Sequence, residues 1–133
     1  MPLPLDRDKT QKLSEELEGV ITAHLGWFKA FNRSLVCGDG VDDNVVSDDA
    51  HLRSPFGLWY YGRNPHPLGD HIIFQDMASI QLALHDCARQ AIQAIRAGRR
   101  PSAKLHDTCL DLSLKLNNKL RHLQLDIIGD LLA

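Results

Sequence analysis

Three long segments of this sequence repeat apolar residues at steps of three and four, and this spacing restricts the fold more than any other feature. The first segment runs from near Asp6 to about Val36, the second from near Asp70 to Gly98, and the third from about Ser102 to the C-terminus. Such a stripe is the buried side of an amphipathic helix, and the alternation typical of strands occurs nowhere. The sequence therefore predicts an all-α protein.

One short helix and two loops are predicted between the first two long helices. The stretch "CGDGVDDNVVSDDAH", residues 37–51, holds two glycines and five aspartates and predicts an acidic loop without the spacing of a calcium site. In "SPFGLWYYG", Ser54 is a typical helix cap and Pro55 fits a first helical turn. "RNPHPLGD" predicts the second loop. We expect residues 1–133 to form one domain, an antiparallel four-helix bundle of three long helices and one short one.

Charge and cysteine content narrow the choice of partners and compartment. The formal charge is −2 and no long basic run occurs, which disfavours nucleic acid and anionic membranes as partners. No apolar stretch approaches the ~20 residues of a membrane span, and the N-terminus does not resemble a signal peptide. Cys37, Cys87 and Cys109 are an odd number without paired spacing, so we expect reduced thiols in a cytoplasmic protein.

The last predicted helix stays apolar to its end, in "LDIIGDLLA". Helices that close a bundle usually turn polar or reach a cap. An apolar stripe that continues to the end favours either a dimer interface or a connection to a further segment, and the residues alone leave both open.

Two of the seven histidines are candidates for a functional site. His24 and His85 occupy inward positions on separate helices, whereas the other five are expected to be exposed in loops or off the last helical seam. A buried imidazole needs partners for its nitrogens. A facing pair can find them through hydrogen bonds or through a metal ion, and both interpretations stay open. The five expected to be exposed are His51, His66, His71, His106 and His122.

Three short motifs resemble the chemoreceptor zinc-binding domain. They are "AHLGWF" (residues 23–28), "SPFGLW" (54–59) and "QLALH" (81–85), beside the family's His-x-x-Trp, Cys-x-Phe/Leu-Gly-x-Trp and His-x-x-x-His. Their order and spacing agree over nearly the whole chain. The resemblance implies a four-helix bundle, typically dimeric, that binds zinc through three His and one Cys. Such domains control bacterial chemoreceptors and diguanylate cyclases, and this chain is most similar to the N-terminal sensory domain of zinc-controlled diguanylate cyclases.

The resemblance assigns four metal positions, and two of them carry unusual residues. His24 and His85 match family histidines, whereas Ser54 stands at the cysteine position and Gln81 at the remaining histidine. Zinc prefers thiolate, imidazole or carboxylate ligands, so the implied zinc site is degenerate. Cys109, on the inward seam of the last helix, could approach the histidines as a replacement ligand, or could be an ordinary buried thiol.

Two other nearby side chains are poorer replacements. Cys87 lies two residues beyond His85, which turns it away from that side of the helix, and Asp86 points sideways.

The resemblance implies a non-catalytic sensory or regulatory domain that acts as a homodimer on a fused or separate signalling output domain. The alternative is a zinc-free helical dimerisation or interaction module. An enzyme is not expected. Ser54, His85 and Asp86 could form a hydrolase triad on paper, but no nucleophile elbow supports it. The chain also lacks a glycine-rich phosphate loop and the Gly-Gly-acidic-acidic-Phe signature of a diguanylate cyclase.

Overall fold

The computed structural model of this protein describes residues 7–37, 47 and 49–132, and these ranges contain helices and no strand. The predicted all-α class is therefore confirmed. The predicted helix start at Asp6, most of the acidic loop and the apolar side chains that end the sequence lie outside the described residues. The five helices are α1 (Arg7–Cys37), α2 (Ala50–Arg53), α3 (Pro55–Tyr61), α4 (Ile72–Arg96) and α5 (Ala103–Leu132).

The one-turn helix α2 corrects the sequence analysis, which placed Ala50 and His51 in the acidic loop. Its turn is closed by the Ser54 amide donating to the Ala50 carbonyl, with an N–O distance of 3.2 Å. An ion pair between Arg53 and Asp49, four residues apart, adds a contact at 3.0 Å. A single turn is too short to show a helical period in the sequence.

Side-chain contacts define how α5 lies against its two long neighbours. Against α1, Arg121 bonds Glu18 at 2.6 Å and His106 bonds Asn32 at 3.1 Å. Residue numbers rise on α1 as they fall on α5, so the two helices run antiparallel. The same holds against α4, where the pairs are His71–Asp126 at 3.4 Å and Lys119–Asp76 at 3.6 Å.

The three predicted apolar stripes form the core that these contacts enclose. Burial of one stripe from each long helix removes apolar side-chain surface from water, and this burial stabilises the fold. The largest fully buried apolar side chains are Phe56, Leu17, Ile21, Leu68, Met77, Leu84, Ile92, Leu116, Leu120, Leu123 and Ile127.

Three helix ends coincide with capping residues of the sequence. Ser54 caps α3 by accepting a hydrogen bond from the Gly57 amide at 3.1 Å, as predicted. Ser102 caps α5 by accepting from the Leu105 amide at 3.0 Å. Gly98 follows the end of α4 with a φ of +75°, a left-handed conformation that glycine adopts without strain.

The aromatic residues of α3 lie over the start of α4. Tyr60 stacks on Phe74 with ring centroids 4.1 Å apart, and its hydroxyl donates to the Phe74 carbonyl at 2.5 Å. Phe56 and Trp59 complete the cluster from α3. Half of the chain's aromatic residues lie in this helix, and their packing fixes the position of Ser54 at its N-terminus.

In the described ranges, none of the helices combines the length and apolar character needed to cross a membrane.

Candidate functional site

The four motif positions form one buried polar cluster between α1, α3 and α4. His24 is 3% exposed, His85 6%, Ser54 7% and Gln81 0%. Gln81 and His85 lie one turn apart on α4, and the Ser54 hydroxyl, at the N-terminus of α3, lies 3.4 Å from the Gln81 side-chain nitrogen. The sequence analysis predicted the inward positions of both histidines, and the structure confirms them.

Gln81 is hydrogen-bonded on the side that faces α2. Its Nε2 donates to the backbone carbonyl of His51 at 2.6 Å and lies 3.4 Å from Ser54 Oγ. Because a carbonyl can only accept, this contact fixes which end of the carboxamide is the nitrogen. Gly57 makes the arrangement possible, since a Cβ at this position would overlap the same His51 carbonyl.

His24 is bonded to a residue that the sequence analysis missed. Its Nε2 lies 3.0 Å from Ser113 Oγ on α5, and both side chains are buried. The indole of Trp27 packs near both histidines, with its centroid 6.1 Å from the His24 ring and 4.8 Å from the His85 ring. Ser113 follows Cys109 by four residues on the α5 seam, so its spacing was the signal that could have found it.

Both buried histidines are neutral near pH 7. Burial lowers the pKa of His24 to about 4, against a smaller opposite effect from its bond to Ser113. Burial also lowers the pKa of His85 to about 4, and the nearby positive forms of His51, His24 and Arg89 add to the effect. A neutral imidazole has a lone pair that can accept a hydrogen bond or bind a metal.

Two polar atoms of the cluster are buried without a hydrogen-bond partner among the described residues, namely His85 Nδ1 and Gln81 Oε1. A cavity of about 20 Å³ lies beside His85, bordered also by His51, Asp86 and Arg89. This volume accommodates one water molecule. The cluster therefore has acceptor capacity that the described protein atoms do not use.

The donor set does not fit a zinc site. Only two of the four motif residues offer imidazole. The other two are a hydroxyl, which accepts from the Gly57 amide, and a carboxamide, whose nitrogen donates to the His51 carbonyl, and neither group is a usual zinc ligand. Zinc sites normally use four thiolate, imidazole or carboxylate ligands. Within residues 7–37, 47 and 49–132, no three His, Cys, Asp or Glu side chains are grouped so as to hold a metal.

The residues considered as replacement ligands have other partners. The Cys109 thiol is fully buried in the core, and Cys87 on α4 packs against this core. Asp86 is exposed and accepts from Arg89 at 2.8 Å and from Gln90 at 3.2 Å. Because Ser54 caps a helix and Asp86 points to neighbours on its own helix, the structure does not assemble the triad considered from the sequence.

Four of the five histidines expected to be exposed are half-buried instead, and only His122 is exposed. His66 packs against Trp59 with ring centroids 4.9 Å apart, and burial lowers its pKa to about 4. His71 caps α4, accepting from the Ile73 amide at 3.1 Å. The other two corrections are His51, in α2, and His106, bonded to Asn32.

No protein-family model matches this chain. No curated protein and no solved structure matches it either. Its function is therefore inferred from its own residues and from the motifs they form.

Proposed function

We propose that this chain is a non-catalytic sensory or regulatory domain of the chemoreceptor zinc-binding kind, with a degenerate zinc site that now serves as a hydrogen-bonded polar core. The observation that supports this most is the buried cluster of the four motif positions. Ser54 and Gln81 are the two residues that depart from the motif. The Gln81 side-chain nitrogen donates to the His51 carbonyl and lies 3.4 Å from the Ser54 hydroxyl, which accepts from the Gly57 amide. Their bonds replace the interactions that a metal would supply.

The proposal includes an antiparallel four-helix bundle that acts as a homodimer. Glu18 on α1 pairs with Arg121 on α5 at 2.6 Å. Leu25 lies seven residues after Glu18, and Leu114 lies seven before Arg121, so both leucines lie on the same flank of the antiparallel pair. Leu25 is 48% exposed and Leu114 49% exposed, with Leu110 one turn further along α5. We call these three leucines the α1/α5 flank and propose that it pairs with its copy.

A homodimer joined through α1 and α5 gives the domain a way to act on a partner. A shift of α5 against its neighbours would bias a signalling output domain, either fused or separate, towards one of two states. The odd number of cysteines leads us to expect a cytoplasmic location.

Zinc analysis of the purified protein and of a restored variant tests this proposal. We expect the native chain to purify without stoichiometric zinc and to keep its melting temperature when zinc is added. The double variant Ser54→Cys with Gln81→His supplies a thiolate and a third imidazole, and should bind about one zinc per chain. Failure of the double variant to bind zinc, while it remains folded, would contradict the assignment of these four positions.

A second candidate, a weak zinc sensor, is favoured by one observation. His85 Nδ1 and Gln81 Oε1 lack partners among the described residues, and His24 is neutral near pH 7, so two imidazoles and one amide oxygen have lone pairs to offer. Stoichiometric zinc in the native protein that is lost in both His24→Ala and His85→Ala would favour the sensor over the zinc-free core. The same result would leave the regulatory class of the domain unchanged.

A further inference from the structure

Cys87 on α4 and Cys109 on α5 face each other across the antiparallel helix pair. His71 lies opposite Asp126 and Lys119 opposite Asp76, and the same register brings Cys87 level with Cys109. Cys87 packs against the core that contains Cys109, and each thiol shifts the pKa of the other, so the two side chains lie close together. This pair is separate from the polar cluster around Gln81.

The two sulfurs differ in their access to solvent. Cys109 is 0% exposed, whereas Cys87 is half-buried at the edge of the core. A small oxidant therefore reaches Cys87 before it reaches Cys109. The third cysteine, Cys37, is exposed at the end of α1.

We propose that Cys87 and Cys109 are an oxidation site that forms an intramolecular disulfide when the protein meets a hydroperoxide. The Cys87 sulfur attacks one peroxide oxygen, the O–O bond breaks, and a sulfenic acid and one water or alcohol result. The Cys109 sulfur then attacks the Cys87 sulfur, the S–OH bond breaks, and the hydroxyl leaves as water with the Cys109 proton. The two thiols lose two electrons and the peroxide gains them.

A disulfide suits this location better than an ionic product would. Burial raises the pKa of the Cys109 thiol to about 12, so the native pair is protonated and a buried thiolate is unfavourable. A disulfide carries no charge and needs no further ligand. Burial also raises the pKa of the Cys87 thiol, so the first step is slow, whereas the second step is intramolecular and therefore favoured. The disulfide would link α4 to α5 covalently and enclose the connection between the two helices in a loop.

The test uses the full chain with Cys37→Ser, so that the pair provides the only thiols. The protein is treated with hydrogen peroxide, unfolded in iodoacetamide and digested with trypsin. We expect a linked peptide pair containing residues 87 and 109, with two hydrogen atoms lost. We also expect a melting temperature raised by about 5 °C that dithiothreitol reverses. The matched control adds Cys87→Ser, which should leave Cys109 alkylated and the melting temperature unchanged by peroxide.

Three outcomes would overturn the proposal. Cys87 could be recovered as a sulfinic acid with Cys109 alkylated, the protein could cross-link only between chains, or both thiols could stay alkylated after exposure to peroxide. None of these results bears on zinc binding, so the proposed function is tested independently.

Discussion

The side-chain nitrogen of Gln81 lies 2.6 Å from the backbone carbonyl oxygen of His51, so the buried middle of α4 holds the one-turn helix α2 directly. A helix of one turn leaves most of its carbonyls without an intrahelical partner. Gln81 satisfies one of them at a position with no access to water. This bond gives Gln81 a structural role that histidine at the same position would not fill in the same way.

Replacement of Gln81 by leucine should lower the free energy of unfolding by about 2 kcal/mol, because the His51 carbonyl would remain buried without its donor. Urea unfolding of the native chain and of Gln81→Leu measures the difference. Gln93→Leu is the matched control, since Gln93 is an exposed residue of the same helix and its replacement should change stability little. Equal effects of the two substitutions would mean that the bond to His51 contributes nothing.

The long helices could be predicted from the sequence because each has a stripe of many apolar residues, and some helix ends carry local capping signals. Ser54, Gly98 and Ser102 are short-range signals whose chemistry acts within one turn. The helix α2 could not be predicted in the same way. Its turn depends on a bond from Gln81, thirty residues away, and no local pattern encodes such a contact.

The candidate site was predicted only in part for the same reason. The inward positions of His24 and His85 follow from helical spacing on their own helices. The partner of His24 is Ser113, on another helix. Helical spacing places Ser113 on the inward seam of α5, but the packing of the helices decides which residue it contacts. His66 was expected to be exposed because a loop rich in proline is usually solvated, but Trp59 and Phe74 cover its ring.

Alanine substitutions at two glycines should have opposite effects on stability. Gly57→Ala should destabilise the protein by about 2 kcal/mol or more, since the new Cβ overlaps the His51 carbonyl and α2 must move. Gly26 is exposed within α1 and has open space around it, so Gly26→Ala should stabilise by about 0.5–1 kcal/mol through helix propensity. Thermal and urea unfolding of both variants provide the comparison. A destabilised Gly26→Ala or an unaffected Gly57→Ala would contradict this packing.

Stability should fall as the pH drops from about 6.5 towards 4. His24 and His85 each have a pKa of about 4 in the folded protein, against an ordinary value near 6.5 in the unfolded chain. Between these values the unfolded chain binds more protons, so the stabilising contribution is complete above pH 6.5 and declines below it. At pH 5 the loss should be about 2 kcal/mol for each histidine.

Glutamine variants separate these two histidines from the other titrating groups. Urea unfolding between pH 7.5 and 5 should give a shallower pH dependence for His24→Gln and for His85→Gln than for the native chain. His122 is exposed, so His122→Gln should keep the native slope. Parallel curves for all four proteins would show that neither buried histidine controls the pH dependence of folding.

The α1/α5 flank should control the oligomeric state. Leu25 and Leu114 each lie two helical turns from the Glu18–Arg121 ion pair, and two lysines at these positions would place like charges at the centre of the proposed dimer. We expect Leu25→Lys with Leu114→Lys to convert a dimer to a monomer in analytical ultracentrifugation, without loss of helical circular dichroism. Leu58→Lys on α3 is the control, because Leu58 is 64% exposed on a different helix. A native chain that sediments as a monomer at high concentration, or a dimer that survives both lysines, would exclude this flank as the interface.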